Sequence, residues 1–172
     1  MLNGLDLLIL LKLSIQPEIR VPSKKIAEDL YLEPSEVTRS LKRCRAAGLL
    51  YQNGSEKRVN RAGLLEFLVH GFRYVFPAQT GSLTRGIPTS IAAEPLKAHF
   101  IDTGEPPPVW PYMQGNARGI AFMPLHKRVP KAALRDPRLY ELLALVDAIR
   151  GTSVRERQMA KEELTKRLGT YA

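Results

Sequence analysis

PSEVTRSLKRCRAAGLLYQNGSEKRV, residues 34–59, reads as a helix followed directly by a hairpin. Pro34 suits the first position of a helix, where a missing N–H costs nothing. At 3.6 residues per turn Val37, Leu41 and Cys44 fall on one side, and Gly48 is placed as the left-handed stop. The spacing predicts a helix from about Pro34 to Ala47. Leu49 to Gln52 and Lys57 to Val59 then read as two short strands joined through Asn53-Gly54, a strong hairpin signal.

The side of this helix opposite Val37 and Leu41 holds Ser35, Arg39, Lys42 and Ala46, flanked by Thr38, Arg43 and Arg45. Small residues let a helix approach base edges, arginine can donate two hydrogen bonds to guanine, and lysine or arginine can hold phosphates. The hairpin adds Lys57 and Arg58, and Arg61 follows it. Ser35, Thr38, Arg39, Lys42, Arg43, Arg45, Lys57, Arg58 and Arg61 are therefore the candidate DNA-binding residues. A solvated helix face followed by a charged turn would give a similar run of cations.

Upstream, Leu5, Leu8, Ile9, Leu11, Leu13 and Ile15 predict a first helix ended by Pro17. Pro22 and Ser23 open a second, with Ser23 as its N-cap and Ile26, Ala27 and Leu30 inward. IAEDLYLEPSEVTRSLKRCRAAGLL, from Ile26 to Leu50, then resembles the winged helix-turn-helix of bacterial regulators such as the MarR-type proteins. Their pattern runs from a short helix through a turn to a recognition helix of the form S-x-V-S/T-R-x-L-x-x-L, with an A-G-L exit into the wing. The resemblance covers residues 5–61, about one third of the chain. It implies that Ser35, Thr38, Arg39, Lys42 and Arg43 face DNA, that Lys57 and Arg58 are wing contacts, and that Cys44, in a place usually held by leucine, belongs to the core.

The whole chain is basic, with a formal net charge of +9 over 172 residues, which favours a polyanionic partner. Residues 1–61 carry 11 Lys/Arg against 7 Asp/Glu, while residues 136–172 are nearly balanced at 7 against 6. A single cysteine forbids an internal disulfide or a multi-cysteine zinc site, and His70, His99 and His126 lack ligand spacing, so neither metal nor cofactor is expected. Leu2 to Ile15 lacks a basic flank and a cleavage site and is too short to span a bilayer, which predicts a buried helix in a cytoplasmic protein without a membrane partner. There is no Gly-rich phosphate loop, no GxSxG elbow and no clustered acid pair, and the chain is not expected to be an enzyme.

Beyond Arg58, Asn60 can cap a helix from Arg61 to about His70, and Phe72 to Phe76 reads as a strand closed by Pro77. Residues 78–130 read as an ordered, loop-rich layer with Gly119 to Met123 as a short strand and Pro106-Pro107-Pro108 as a surface polyproline run. Leu83-Thr84-Arg85-Gly86 reads as a tight turn, with an anion contact as the other reading. Asp136-Pro137 caps a helix bearing Leu139, Leu142, Leu143, Val146 and Ile149 on one face. Ser153 to Glu156 is a capping box for a last helix ending near Leu168. That apolar face exceeds what one short helix can cover, which leaves the proline-rich layer, a second subunit or complete burial within the chain to cover it.

The expected fold is mainly α with small β (α+β): a winged helix-turn-helix unit over 1–70, then a loop-rich segment and a C-terminal helical hairpin over 71–172. The expected function is sequence-specific binding of double-stranded DNA by a transcriptional regulator acting as a homodimer. The layout is also loosely similar to winged-helix antitoxins of abortive-infection systems, which implies as the alternative a toxin-like partner protein held by the C-terminal half. An RNA-binding accessory role, and an enzyme housed in residues 72–135, are further readings.

Overall fold

The computed structural model describes residues 1–151 and 153–169. It is a mixed α+β fold with two small sheets. Helix α1 (Gly4–Ser14) is buried from Leu5 to Ser14, mostly by leucines, and its two buried charges are paired, Asp6 with Arg43 and Lys12 with Asp136. Asn3 and Asp6 cap it reciprocally: Asn3 N–H donates to Asp6 Oδ2 at 2.9 Å and Asp6 N–H to Asn3 Oδ1 at 3.2 Å. Helix α2 (Ser23–Leu30) begins one residue earlier than expected. Pro22 takes the cap position and the Ser23 hydroxyl makes no cap bond. The chain then turns through Tyr31, in the left-handed region at φ 58°, into α3 (Pro34–Ala46).

Strands β1 (Leu50–Asn53) and β2 (Glu56–Val59) form an antiparallel hairpin. Its two-residue loop is Gly54-Ser55, one place later than Asn53-Gly54, with Gly54 at φ 60° where such a turn needs glycine. The segment before α2 joins the hairpin: Arg20 bridges Glu56, Lys57 N–H donates to Ile19 O and Val21 N–H to Ser55 O.

Helix α4 (Arg61–His70) is capped by Asn60, whose side chain accepts from Gly63 N–H and donates to Gly48 O. The strand expected at Phe72–Phe76 is instead a helical turn, α5 (Phe72–Val75). The turn stacks Phe72 near Phe76, with ring centroids 5.5 Å apart, and sets both edge-on to Phe67. A four-residue spacing serves a helix face as well as a strand face, and here the aromatic cluster selects the helix.

The loop-rich layer of the sequence reading is a small closed barrel of β3 (Thr80–Pro88), β4 (Pro108–Pro111) and β5 (Ala117–Phe122). β3 is antiparallel to both others, and β4 and β5 run parallel. The tight turn expected at Leu83–Gly86 is therefore the middle of a strand. Pro108, the last of the three prolines, belongs to β4. Closure demands glycine: a Cβ on Gly86 would lie 2.0 Å from Trp110 O, and one on Gly119 1.9 Å from Pro107 O.

Helix α6 (Val129–Arg135), with Pro130 in its first turn, precedes α7 (Pro137–Gly151) and α8 (Val154–Gly169). Asp136 Oδ1 accepts from Arg138 and Leu139 N–H to cap α7. Ser153 and Glu156 form the capping box of α8. α7 is buried continuously from Leu142 to Ile149, packed by α1, α5, α6 and α8. Its apolar face is thus covered within the chain, which is one of the three readings the sequence left open. One connected core runs from Leu5 to Leu168. Asp147 of α7 ties that core to the barrel, accepting from Thr89 Oγ1 at 2.7 Å, Trp110 Nε1 at 2.7 Å and Arg150 Nε at 3.0 Å.

Candidate nucleic-acid interface

Helix α3 starts with Pro34 and is fixed by Glu36, whose carboxylate accepts from Glu33 N–H at 2.9 Å. Val37, Ser40, Leu41 and Cys44 are buried against α1 and α2. Ser35, Thr38, Arg39, Lys42, Arg45 and Ala46 are exposed. The Thr38 hydroxyl is spent on Pro34 O at 3.0 Å, so its methyl is left for contacts. Among the described residues, the Arg39, Lys42 and Arg45 side chains have neither a hydrogen-bond nor an ion-pair partner.

Two of the sequence candidates lie elsewhere. Arg43 turns back onto α1: its Nε donates to Asp6 Oδ2 at 2.9 Å and its Nη2 to Asp6 Oδ1 at 2.8 Å. Asp6 is fully buried, and a carboxylate without water needs such a partner. It also accepts from Ser40 Oγ at 2.6 Å. The pairing holds the Arg43 guanidinium above its usual range, chiefly through the Asp6 hydrogen bond. Lys57 points inward because strand side chains alternate, and its ammonium donates to the carbonyl of Val21. Burial lowers its pKa. Its expected place among the wing contacts is corrected: the cation serves to pin the hairpin to the segment before α2.

Arg58, on the other face of β2, is exposed and paired with Glu56 at 2.7 Å. A surface pair of this kind is weak enough to exchange for a phosphate. Arg61 is half-buried at the start of α4, off the hairpin. Cys44 is buried, and burial pushes its thiol up to about 12.

The tertiary structure adds residues that the linear reading missed. Tyr51 stands directly opposite Arg58 in the hairpin and is 57% exposed. Strand alternation alone could have found it. Lys127 and Lys131 had no such signal, because they come from a distant part of the chain. The Lys131 ammonium lies 4.1 Å above the Tyr31 ring at the α2–α3 turn. Arg135 donates to Glu28 O at 3.1 Å and reaches Asp29 at 3.4 Å. Burial lowers the His126 pKa, against the pull of Glu36 and with the push of Lys127 and Arg128. Exposed Lys131 is thereby brought to the turn that leads into α3, and exposed Lys127 follows His126, which lies within the field of Glu36.

The exposed face of α3 carries small and hydroxyl side chains flanked by Arg39, Lys42 and Arg45, unpaired among the described residues, a chemistry that fits base edges between phosphates. Among the described residues there is no cluster of metal-ligating side chains, and no helix is long and apolar enough to cross a membrane. The chain matches no protein-family model, no curated protein and no solved structure, so what this face does must be read from its geometry.

Proposed function

We propose that the N-terminal helices and hairpin are a winged helix-turn-helix that binds double-stranded DNA, with α3 in the major groove and β1–β2 as the wing. The observation that carries this reading is the exposed face of α3. Among the described residues Arg39, Lys42 and Arg45 are without partners there, among Ser35, Thr38 and Ala46, and the hairpin that follows α3 exposes Arg58. Several like charges held together without counter-charges cost self-repulsion, and a polyanion relieves it. Arg39 is the base-reading candidate, because its planar fork matches guanine; Lys42, Arg45 and Arg58 are the phosphate contacts. One such unit covers a half-site, so specific control of transcription calls for two copies on a two-fold operator.

The test is a binding titration with duplexes selected from a random pool. Arg39→Ala should cost about 1–3 kcal/mol and relax preference at one base position. Lys42→Ala should weaken all sequences alike and lower the salt slope by about one. A folded Arg39→Ala/Lys42→Ala double variant that binds duplex as the parent does would overturn the assignment.

A further inference from the structure

The barrel carries a second cationic feature that the α3 face does not account for. In the β3–β5 pairing Arg85 stands directly opposite Arg118. Opposed residues of an antiparallel pair project from the same face, with Cβ atoms roughly 4.5–5.5 Å apart. Gly86, Gly119 and Ala121 are buried toward the inside of the barrel, whereas Leu83, Arg85 and Arg118 are exposed. Neither guanidinium has a hydrogen-bond, ion-pair or ring partner among the described residues.

Like charges set directly opposite each other weaken a sheet. A strand pair arranged for stability alone would place a carboxylate across from one of them. The mount is also rigid. Each arginine is followed by a glycine that barrel closure requires, Gly86 against Trp110 O and Gly119 against Pro107 O. Arg118 further lines an open cleft of about 780 Å³, together with Leu83, Lys97 and Phe100. Asp102 and Glu105 line the same cleft, so the excess of positive charge sits at the arginine pair rather than throughout it.

We propose that Arg85 and Arg118 form a phosphate clamp, two guanidinium forks on one phosphate group, and that the cleft beside them receives the nucleoside that carries it. Guanidinium and phosphate match in bidentate geometry, and the anion removes the repulsion across the strands. Leu83 and Ile101, both exposed and lining the cleft, supply apolar surface for a base. The phosphate belongs to a nucleotide, either free or within a nucleic-acid strand, and the site is independent of α3.

The test uses the full chain and the variants Arg85→Gln/Arg118→Gln and Arg85→Lys/Arg118→Lys. The probes are adenosine 5′-monophosphate, a single-stranded oligonucleotide and a duplex. The glutamine variant should melt at or above the parent temperature, because a repulsion has been removed. For a free nucleotide it should lose at least about tenfold in affinity for the monophosphate, with the lysine variant in between. For a nucleic-acid strand the salt slope of oligonucleotide or duplex binding should instead fall by about two. A glutamine variant that binds every probe as the parent does overturns the clamp, as does a parent that binds none of them. A glutamine variant that melts lower with binding unchanged would show the pair to be structural. Arg39→Ala/Lys42→Ala should leave monophosphate binding untouched, so failure at α3 and failure at the barrel are read separately.

Discussion

Arg43 lies within the most basic stretch of the chain, and its replacement separates structural from DNA-contacting cations. Arg43→Ala removes the guanidinium that meets Asp6 through Nε and Nη2 and leaves a carboxylate with no exposed surface. Losing one partner of a buried pair typically costs about 3–5 kcal/mol. Two features reduce that here. The Arg43 side chain is 29% exposed, so water reaches its side of the pair, and Asp6 keeps the Ser40 hydroxyl and the Asn3 N–H as donors. A working figure is about 2–3 kcal/mol. At about 2–4 °C per kcal/mol for a chain of this size, the melting temperature should fall by about 4–12 °C. Arg39→Ala, fully on the surface, should stay within about 0.5 kcal/mol of the parent. Thermal melts followed by circular dichroism measure both, with duplex titrations run well below either transition. In an Asp6→Asn background the same Arg43→Ala change should cost much less, because the coupling is already gone. An Arg43→Ala chain that melts with the parent yet loses as much duplex affinity as Arg39→Ala would refute the inward assignment.

Three other outcomes follow from the same geometry. Burial pushes the Cys44 thiol and the Tyr140 phenol up to about 12 each, from ordinary values of 9.0 and 10.0. Above those ordinary values the unfolded chain releases these protons first, so stability should fall as pH rises toward 12. The lowered Lys57 ammonium acts in the opposite sense up to 10.5. Urea midpoints between about pH 8 and pH 11 should therefore decline less steeply in Cys44→Ala, and equal slopes would remove the thiol from the account. Gly86→Ala places a Cβ against Trp110 O and should destabilise by about 1–3 kcal/mol or more; an unchanged melt would mean the barrel wall yields easily. A fragment ending at Pro130 lacks α7, which packs against α1, and should be unfolded by near-ultraviolet dichroism; a folded fragment that binds duplex would show an N-terminal core sufficient by itself.

The N-terminal helices, the hairpin and the last two helices were legible because their signals are local. Pro34, Gly48, Asn60, Asp136 and the Ser153–Glu156 box act within a turn or two of themselves, and each does in the structure what its chemistry predicts. Of the small barrel only β5 was legible, as the short strand expected at Gly119 to Met123. β3 reads TGSLTRGIP, where glycines and a proline look like loop residues. They are strand residues because closing three short strands brings backbones together at distances only glycine permits. For Gly86 that demand comes from Trp110, which lies on another strand well beyond any local window.

The sequence by itself determined which helix of this protein carries cations and small side chains together, since helical period alone sorts Val37, Leu41 and Cys44 from Ser35, Arg39 and Lys42. Only the tertiary structure decided which cations are free. Arg43 and Arg39 are the same residue type one helical turn apart, yet Arg43 is drawn to Asp6, an acid buried 37 positions upstream. Lys57 and Arg58 are neighbours, yet the pleat sends one to Val21 and the other to solvent. In each case a buried polar group must be satisfied, and the partner that satisfies it is close in space while distant along the chain.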